Sequence, residues 1–359
     1  MTATMPIETD FVHSPPLPQH LHIVALETYL TTLPPIVVPK PYTFTLTAYE
    51  RSAGKEIAER IADADIVISM VVPLRSEALA AAPRLRLISV MASGTDSVDL
   101  DFCAARGIRV LNSPNCNTTS LSEHVAAMYL SLRRGLLPVM RATARDDWPR
   151  EGTLMSHVYT CGVPPPSCRD ETLAIVGYGG VGQAVCQLLG GLGMQVVVAA
   201  RKGGDPAPES TSTSATSASS SPPRIAFDEA LQRATVLVVC CPRLPDTMKL
   251  IGSSELARMR PDAILINVSR GGIVCEADLV SALREGRLSG AGVDVFDHEP
   301  ASSQSSPLVA AAAAADLNLI ITPHTAWVAA STRENYRRTA QENVERFLRG
   351  TYDADRVRA

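Results

Sequence analysis

Between residues 173 and 189 the apolar run Leu173-Ala-Ile-Val176 passes directly into Gly177-Tyr178-Gly179-Gly180-Val181-Gly182 and then into Gln183-Ala-Val-Cys-Gln-Leu-Leu189. Strand, tight turn and helix in that order suit a dinucleotide pyrophosphate. Gly177 permits the turn, Gly179 lets the backbone approach the phosphates, Gly182 allows close helix-sheet packing, and the helix N-terminus faces the negative charge. Three polar segments follow, each at the end of an apolar run: Asn267-Val268-Ser269-Arg270-Gly-Gly, Asp294-Val-Phe-Asp-His-Glu299-Pro and Thr322-Pro-His324-Thr-Ala-Trp327. Open α/β sheets build their sites at such strand ends. A permanently charged, fork-shaped guanidinium, a carboxylate and an imidazole together supply anion binding and proton transfer near neutral pH. Taken singly, Arg270 also reads as a surface charge at a helix entry, Glu299 as a turn residue and His324 as an ordinary loop histidine. Their joint order behind a dinucleotide loop favours a site.

The next strand bears on which dinucleotide is bound. An acid usually ends it and accepts hydrogen bonds from the adenosine ribose. Here it ends Val198-Ala-Ala200-Arg201-Lys202, with Ala200 in the acid's place and two cations behind it. Arg201 and Lys202 suit a 2′-phosphate, the arginine by a planar, bidentate contact, so NADP is the expected cofactor and NAD the alternative. A pair of solvated cations opening a loop is the plainer reading of the same residues.

The elements that must hold these groups follow a βα rhythm. In the first part of the chain His22–Leu26, Ile66–Met70, Leu87–Val90 and Ile108–Leu111 read as strands, with helical stretches at Gly54–Ala64, Glu77–Ala82 and Leu100–Arg106. Asp96 and Asp99 read as caps of the last of these helices. A long helix is expected over Ser120–Arg134, opened by a Ser120-Leu-Ser-Glu123 capping box, with His124 upon it read as structural or at an interdomain contact. A second series of six strands starts at Leu173 and ends at Leu319–Thr322, and a closing helix spans Thr332–Arg349. Residues 203–223, rich in Ser, Thr, Ala and Pro, lack the apolar bulk to order themselves and read as a flexible low-complexity insertion. The alanine run 310–315 reads equally as a short helix.

A chain of 359 residues with 46% hydrophobic and 19% charged residues is long enough for two globular domains. A net charge of −4 provides no basic surface for nucleic acid. The eight cysteines have no paired spacing of the kind zinc sites use, so buried reduced thiols and no metal are expected. Neither an export signal nor a membrane-length apolar run is evident, which makes the cytoplasm the expected compartment.

At the glycine loop, at Ser93-Gly94-Thr95-Asp96 and at the three polar segments the chain resembles the D-isomer-specific 2-hydroxyacid dehydrogenases. The resemblance runs from about Leu85 to about Leu348, interrupted by the insertion. It implies an α/β protein with a Rossmann dinucleotide-binding domain over 118–325. A discontinuous, flavodoxin-like substrate domain would take 1–117 and 326–359. Arg270 would bind the substrate carboxylate and C2 oxygen, His324 would donate the proton, and Glu299 would pair with His324. Backbone N–H groups around Ser93 and Gly94 would grip the substrate carboxylate. Asp294 would orient the nicotinamide carboxamide, Val268 and Ser269 would line its ribose, and Cys241-Pro242 would edge the adenosine, with cysteine in place of the usual apolar residue.

The His324-Thr-Ala-Trp327 sequence is similar to the glyoxylate and hydroxypyruvate reductase branch. Trp327 would wall a pocket for a small or apolar 2-oxo acid or else pack at an interface. Glu299, where formate dehydrogenases carry an amide, argues against formate oxidation. The expected activity is reversible NAD(P)H-dependent reduction of a small 2-oxo acid to the D-2-hydroxy acid. A homodimer through the long-helix region is the expected assembly, without a nucleic-acid or membrane partner. The competing reading is a nucleotide-sensing, corepressor-like binding protein of the same fold.

Overall fold

A computed structural model describes residues 17–159, 162–204, 221–314 and 317–352. Most of the insertion read at 203–223 lies outside the described residues. The chain forms two compact units, Met1–Asn117 with Ala329–Ala359, and Thr118–Val328.

The first unit is built on a five-stranded parallel sheet: β1 (His20–Ala25), β2 (Thr43–Ala48), β3 (Ile66–Ser69), β4 (Leu87–Val90) and β5 (Arg109–Leu111). Their order, β2-β1-β3-β4-β5, is the flavodoxin-like winding. β3 and β4 are buried at every position, as parallel strands covered on both faces must be. One face packs Val24, Val67, Ile88 and Val110 against Ile57, Ile61, Leu79 and Cys103 of the crossover helices. The closing helix Ala330–Arg349 lies along β4 and buries Tyr336, Ala340 and Val344. β2 was not expected. It is an edge strand whose Thr43-Phe-Thr-Leu-Thr-Ala48 alternation has no buried position, so it lacks the apolar run that marked its neighbours.

Among the described residues the second unit holds seven parallel strands: β6 (Thr172–Val176), β7 (Gln195–Ala199), β8 (Arg224–Ile225), β9 (Val236–Val239), β10 (Ile264–Asn267), β11 (Gly290–Val293) and β12 (Leu319–Ile321). The order β12-β11-β10-β9-β6-β7-β8 is the doubly wound arrangement, extended by one strand, with its reversal between β6 and β9. Successive residues serve opposite faces. Ala174, Leu237 and Leu265 enter one core, while Leu173, Ile175, Val238 and Ile266 enter the other. The second core is closed by the long helix Thr118–Arg133 and by the helix Gly180–Gly191 that follows the glycine loop.

The long helix begins two residues earlier than expected. Ser120 is not its cap: only 6% exposed, it donates to the Trp327 carbonyl at 3.3 Å. At the N-terminal edge of the sheet the helix is tied down by Arg133, whose guanidinium meets Glu171 at 2.6 Å and donates to the carbonyls of Thr235 and Asp262. Tyr129 completes this buried cluster by donating to Glu171 at 3.1 Å.

Candidate active site

The glycine loop leaves β6 at the reversal point of the sheet. Gly177 has φ +98°, and a Cβ there would stand 2.5 Å from the Cys241 backbone nitrogen, just past the end of β9. A Cβ on Gly182 would stand 2.2 Å from the Gly177 carbonyl. Both positions therefore require glycine, for close backbone approach. Gly179 caps the helix Gly180–Gly191, and a Cβ on it would meet nothing within 4 Å. Open space at a twelve-residue helix N-terminus, over a loop that must be glycine, fits the pyrophosphate of a dinucleotide.

Beside the loop Ala200 is 5% exposed and Arg201 is exposed. The expectation for Lys202 changes. Its ammonium is held 2.9 Å from Glu255, a carboxylate that also accepts from Ser254 and the Gly252 N–H. Burial alone would raise the Glu255 carboxyl, but the Ser254, Lys202 and Gly252 hydrogen bonds outweigh it and bring the pKa from 4.5 to about 2. The Val268 side chain is 4% exposed and belongs to the second core. Ser269 donates its hydroxyl to the Cys241 carbonyl, which ties the loop after β10 to the loop after β9.

Arg270 stands in a tight turn. Asn267, the last residue of β10, accepts from the Ser269 N–H at 3.1 Å and donates its amide to the Arg270 carbonyl at 3.1 Å. The Arg270 guanidinium donates to the Ser269 carbonyl at 2.8 Å. Glu299 arrives on the loop after β11. One carboxylate oxygen accepts from the Phe296 N–H at 2.9 Å, and the other lies 2.7 Å from His324 Nδ1. Burial alone would raise the Glu299 carboxyl. The hydrogen bonds of His324 and the Phe296 N–H, with the charges of His324 and Arg270, hold it below the ordinary glutamate value. Glu299 and His324, 25 residues apart, thus form one hydrogen-bonded pair under the field of Arg270.

Several residues that brace this pair did not stand out in sequence. Glu276, 5% exposed, accepts from the Asp297 N–H at 2.7 Å and from Ser306 at 2.5 Å, fixing the loop that carries Glu299. Gly271 brings the Arg270 turn against that loop: a Cβ there would stand 1.8 Å from the Phe296 carbonyl. A Glu two residues after an apolar run and a second glycine after Arg270 were visible, but not their partners. Trp327 packs half-buried against the second core, its carbonyl held by Ser120, so its contribution to a pocket wall is limited to the part left exposed.

In the first unit Ser93 follows β4. Its hydroxyl donates to Asn117 at 2.9 Å and to the Ser113 carbonyl at 3.2 Å, while Asn112 donates to its carbonyl at 2.7 Å. The loop bearing Gly94 is thereby pinned. Asp99 caps the helix Leu100–Ala105 by accepting from the Phe102 N–H, as its position predicted. The described cysteines are free thiols, and burial pushes Cys103 up to about 12 and Cys186 and Cys241 up to about 11. Among the described residues no helix is long and apolar enough to cross a membrane.

Residues 126–326 match the model for the D-isomer specific 2-hydroxyacid dehydrogenase NAD-binding domain. The chain is 34% identical to a glycerate dehydrogenase of Methylorubrum extorquens, over 82% of this chain and 86% of that one. It is 30% identical to a hydroxypyruvate reductase of Blautia hydrogenotrophica, over 83% and 86%. Among solved structures, the NADPH-dependent glyoxylate/hydroxypyruvate reductase of Sinorhizobium meliloti with NADP and malonate shares the fold, with a TM-score of 0.68 at 23% identity over 91% of this chain and 93% of that one. With a family match over more than half its length and relatives of at least 30% identity matched over 86% of their own length, the chain belongs to the D-isomer specific 2-hydroxyacid dehydrogenases.

Proposed function

We propose that this chain reduces a small 2-oxo acid to the D-2-hydroxy acid with NADPH, using His324 as proton donor, Glu299 as its partner and Arg270 as the anchor of the substrate carboxylate. Nicotinamide-dependent 2-oxo acid reduction follows from family membership. The residue roles rest chiefly on one observation, the 2.7 Å pairing of His324 Nδ1 with Glu299 beside Arg270. The carboxylate holds a proton on Nδ1 and leaves Nε2 to face the substrate carbonyl. The Arg270 fork, permanently charged, suits the adjacent oxygens of a 2-oxo acid. Backbone N–H groups of the pinned Ser93-Gly94 loop would add donors for the substrate carboxylate, and part of Trp327 would limit its size. When bound, the cofactor supplies the hydride.

The cofactor would lie along Gly177–Gly182, with Cys241 and Pro242 at the adenosine edge, the Val268 backbone and Ser269 at the nicotinamide ribose and Asp294 at the carboxamide. NADP is supported by buried Ala200 in the acid's place and exposed Arg201. Arg201 is then the principal ligand of the 2′-phosphate, since Lys202 is engaged by Glu255. A homodimer is supported by apolar side chains exposed along one stretch of the second unit: Leu136, Met140, Trp148, Met155 and Val163. Sedimentation at micromolar concentration should give a dimer; a monomer would refute that assembly.

The activity is tested with glyoxylate, hydroxypyruvate, pyruvate and branched 2-oxo acids against NADPH and NADH, in wild type, Arg270→Ala and Arg201→Ala. Turnover of at least one acid, its loss in Arg270→Ala and loss of NADPH preference in Arg201→Ala are expected. Tight cofactor binding without turnover of any acid would overturn the dehydrogenase reading in favour of a sensor.

A further inference from the structure

His324 is a non-glycine residue at φ +55°, a conformation that persists only where its surroundings impose it. Asp294, at the end of β11, does much of the imposing. Its carbonyl accepts from the His324 N–H at 2.8 Å, its Oδ1 from the Thr325 N–H at 2.8 Å and its Oδ2 from the Ala326 N–H at 2.9 Å. One residue, 1% exposed, thus takes three consecutive amides of the loop. Among the described residues the carboxylate also accepts from Thr322, whose hydroxyl lies 2.5 Å from Oδ1. Three of its four lone-pair directions are then filled, which leaves one for the carboxamide contact proposed above.

Proton bookkeeping orders the next link. An ionised carboxylate only accepts, so the single hydroxyl proton of Thr322 goes to Asp294, and the Thr322 oxygen must accept from its other neighbour. That neighbour is His124 Nε2, at 3.0 Å, on the long helix and 3.9 Å from Asp294 Oδ1. His124 therefore carries a proton on Nε2. Ser120 lies one helical turn earlier on the same face and holds the Trp327 carbonyl. The helix grips the His324 loop at both ends, Thr322 through His124 and Trp327 through Ser120.

We propose that His124 and Thr322 are positioning residues for the proton donor. The relay from His124 to Thr322 to Asp294 sets the backbone around His324 and so the line of its imidazole between Glu299 and the substrate carbonyl. This rests on His324 being the donor, and it assigns to the long helix a part in the chemistry beyond packing.

The test compares His124→Leu, His124→Gln, Thr322→Val and His324→Gln, alone and with each relay variant added to His324→Gln. Glutamine at 124 restores a neutral N–H donor without an imidazole. His124→Leu and Thr322→Val should each lower kcat by about tenfold, a misplacement effect, and shift the alkaline limb of the kcat–pH profile, where a proton donor is lost. His124→Gln should recover kcat to within about threefold, and neither relay change should lower kcat further once His324 is gone. NADPH affinity, read by fluorescence titration, should stay within about threefold of wild type in all. Wild-type kcat in Thr322→Val with an inactive His324→Gln would overturn the relay but leave the donor assignment standing. Weakened NADPH binding at unchanged kcat would also overturn it, since the relay would then serve the cofactor. An active His324→Gln would instead overturn the donor assignment.

Discussion

Gly271 sets the Arg270 turn against the loop that carries Glu299, and replacing it is the sharpest test of how Arg270 is set against Glu299. An added Cβ would lie 1.8 Å from the Phe296 carbonyl oxygen and 2.1 Å from its carbon, where ordinary contact begins near 3.4 Å. The neighbouring segment is held back by Glu276, which accepts from the Asp297 N–H. The Arg270 turn must therefore move, by about 1.6 Å if the relief is along one line. A displacement of that order between a positioning cation and an acid-base pair costs about a hundredfold in rate, or about 2.7 kcal/mol of transition-state stabilisation. Gly271→Ala should thus lower kcat/KM for the preferred 2-oxo acid by about two orders of magnitude. A Gly271→Ala enzyme with wild-type kcat/KM would refute the reasoning that this contact fixes Arg270.

Two further predictions concern stability. Glu171→Gln leaves the buried guanidinium of Arg133 without its counter-charge and should cost about 3–5 kcal/mol in urea unfolding, whereas an Arg133→Met, Glu171→Leu double variant should recover most of that loss. Glu255, whose carboxyl is brought from 4.5 to about 2, adds stability that is complete above pH 4.5 and lost as pH falls through 2. The advantage of wild type over Glu255→Gln should therefore narrow across that window, from an upper bound of about 3 kcal/mol, since the Lys202 end of the pair is half exposed. An advantage independent of pH in a denaturation series would contradict this.

The strands with continuous apolar runs were legible in the sequence because burial on both faces leaves no other composition open to them. β2 and β8 escaped for the opposite reason: both lie at sheet edges, one alternating with threonine and the other only two residues long. The proposed site rests on residues whose type states their chemistry: Arg270, Glu299 and His324. It was illegible where function depends on a distant partner. Lys202 looked free to meet a phosphate because Glu255 stands 53 residues away, and Asp294 looked like a cofactor ligand alone because the three amides it holds lie beyond β12. Ser120 likewise matched a capping box, yet its hydroxyl is taken by a carbonyl 207 residues on.

The central claim is that His324 delivers the proton as the 2-oxo acid accepts hydride. Single-turnover oxidation of bound NADPH, followed optically for wild type and His324→Gln with the preferred acid, tests it most directly. The account predicts a loss of about a thousandfold in the rate of the chemical step, with NADPH affinity retained. Hydride transfer at the wild-type rate in His324→Gln would contradict it.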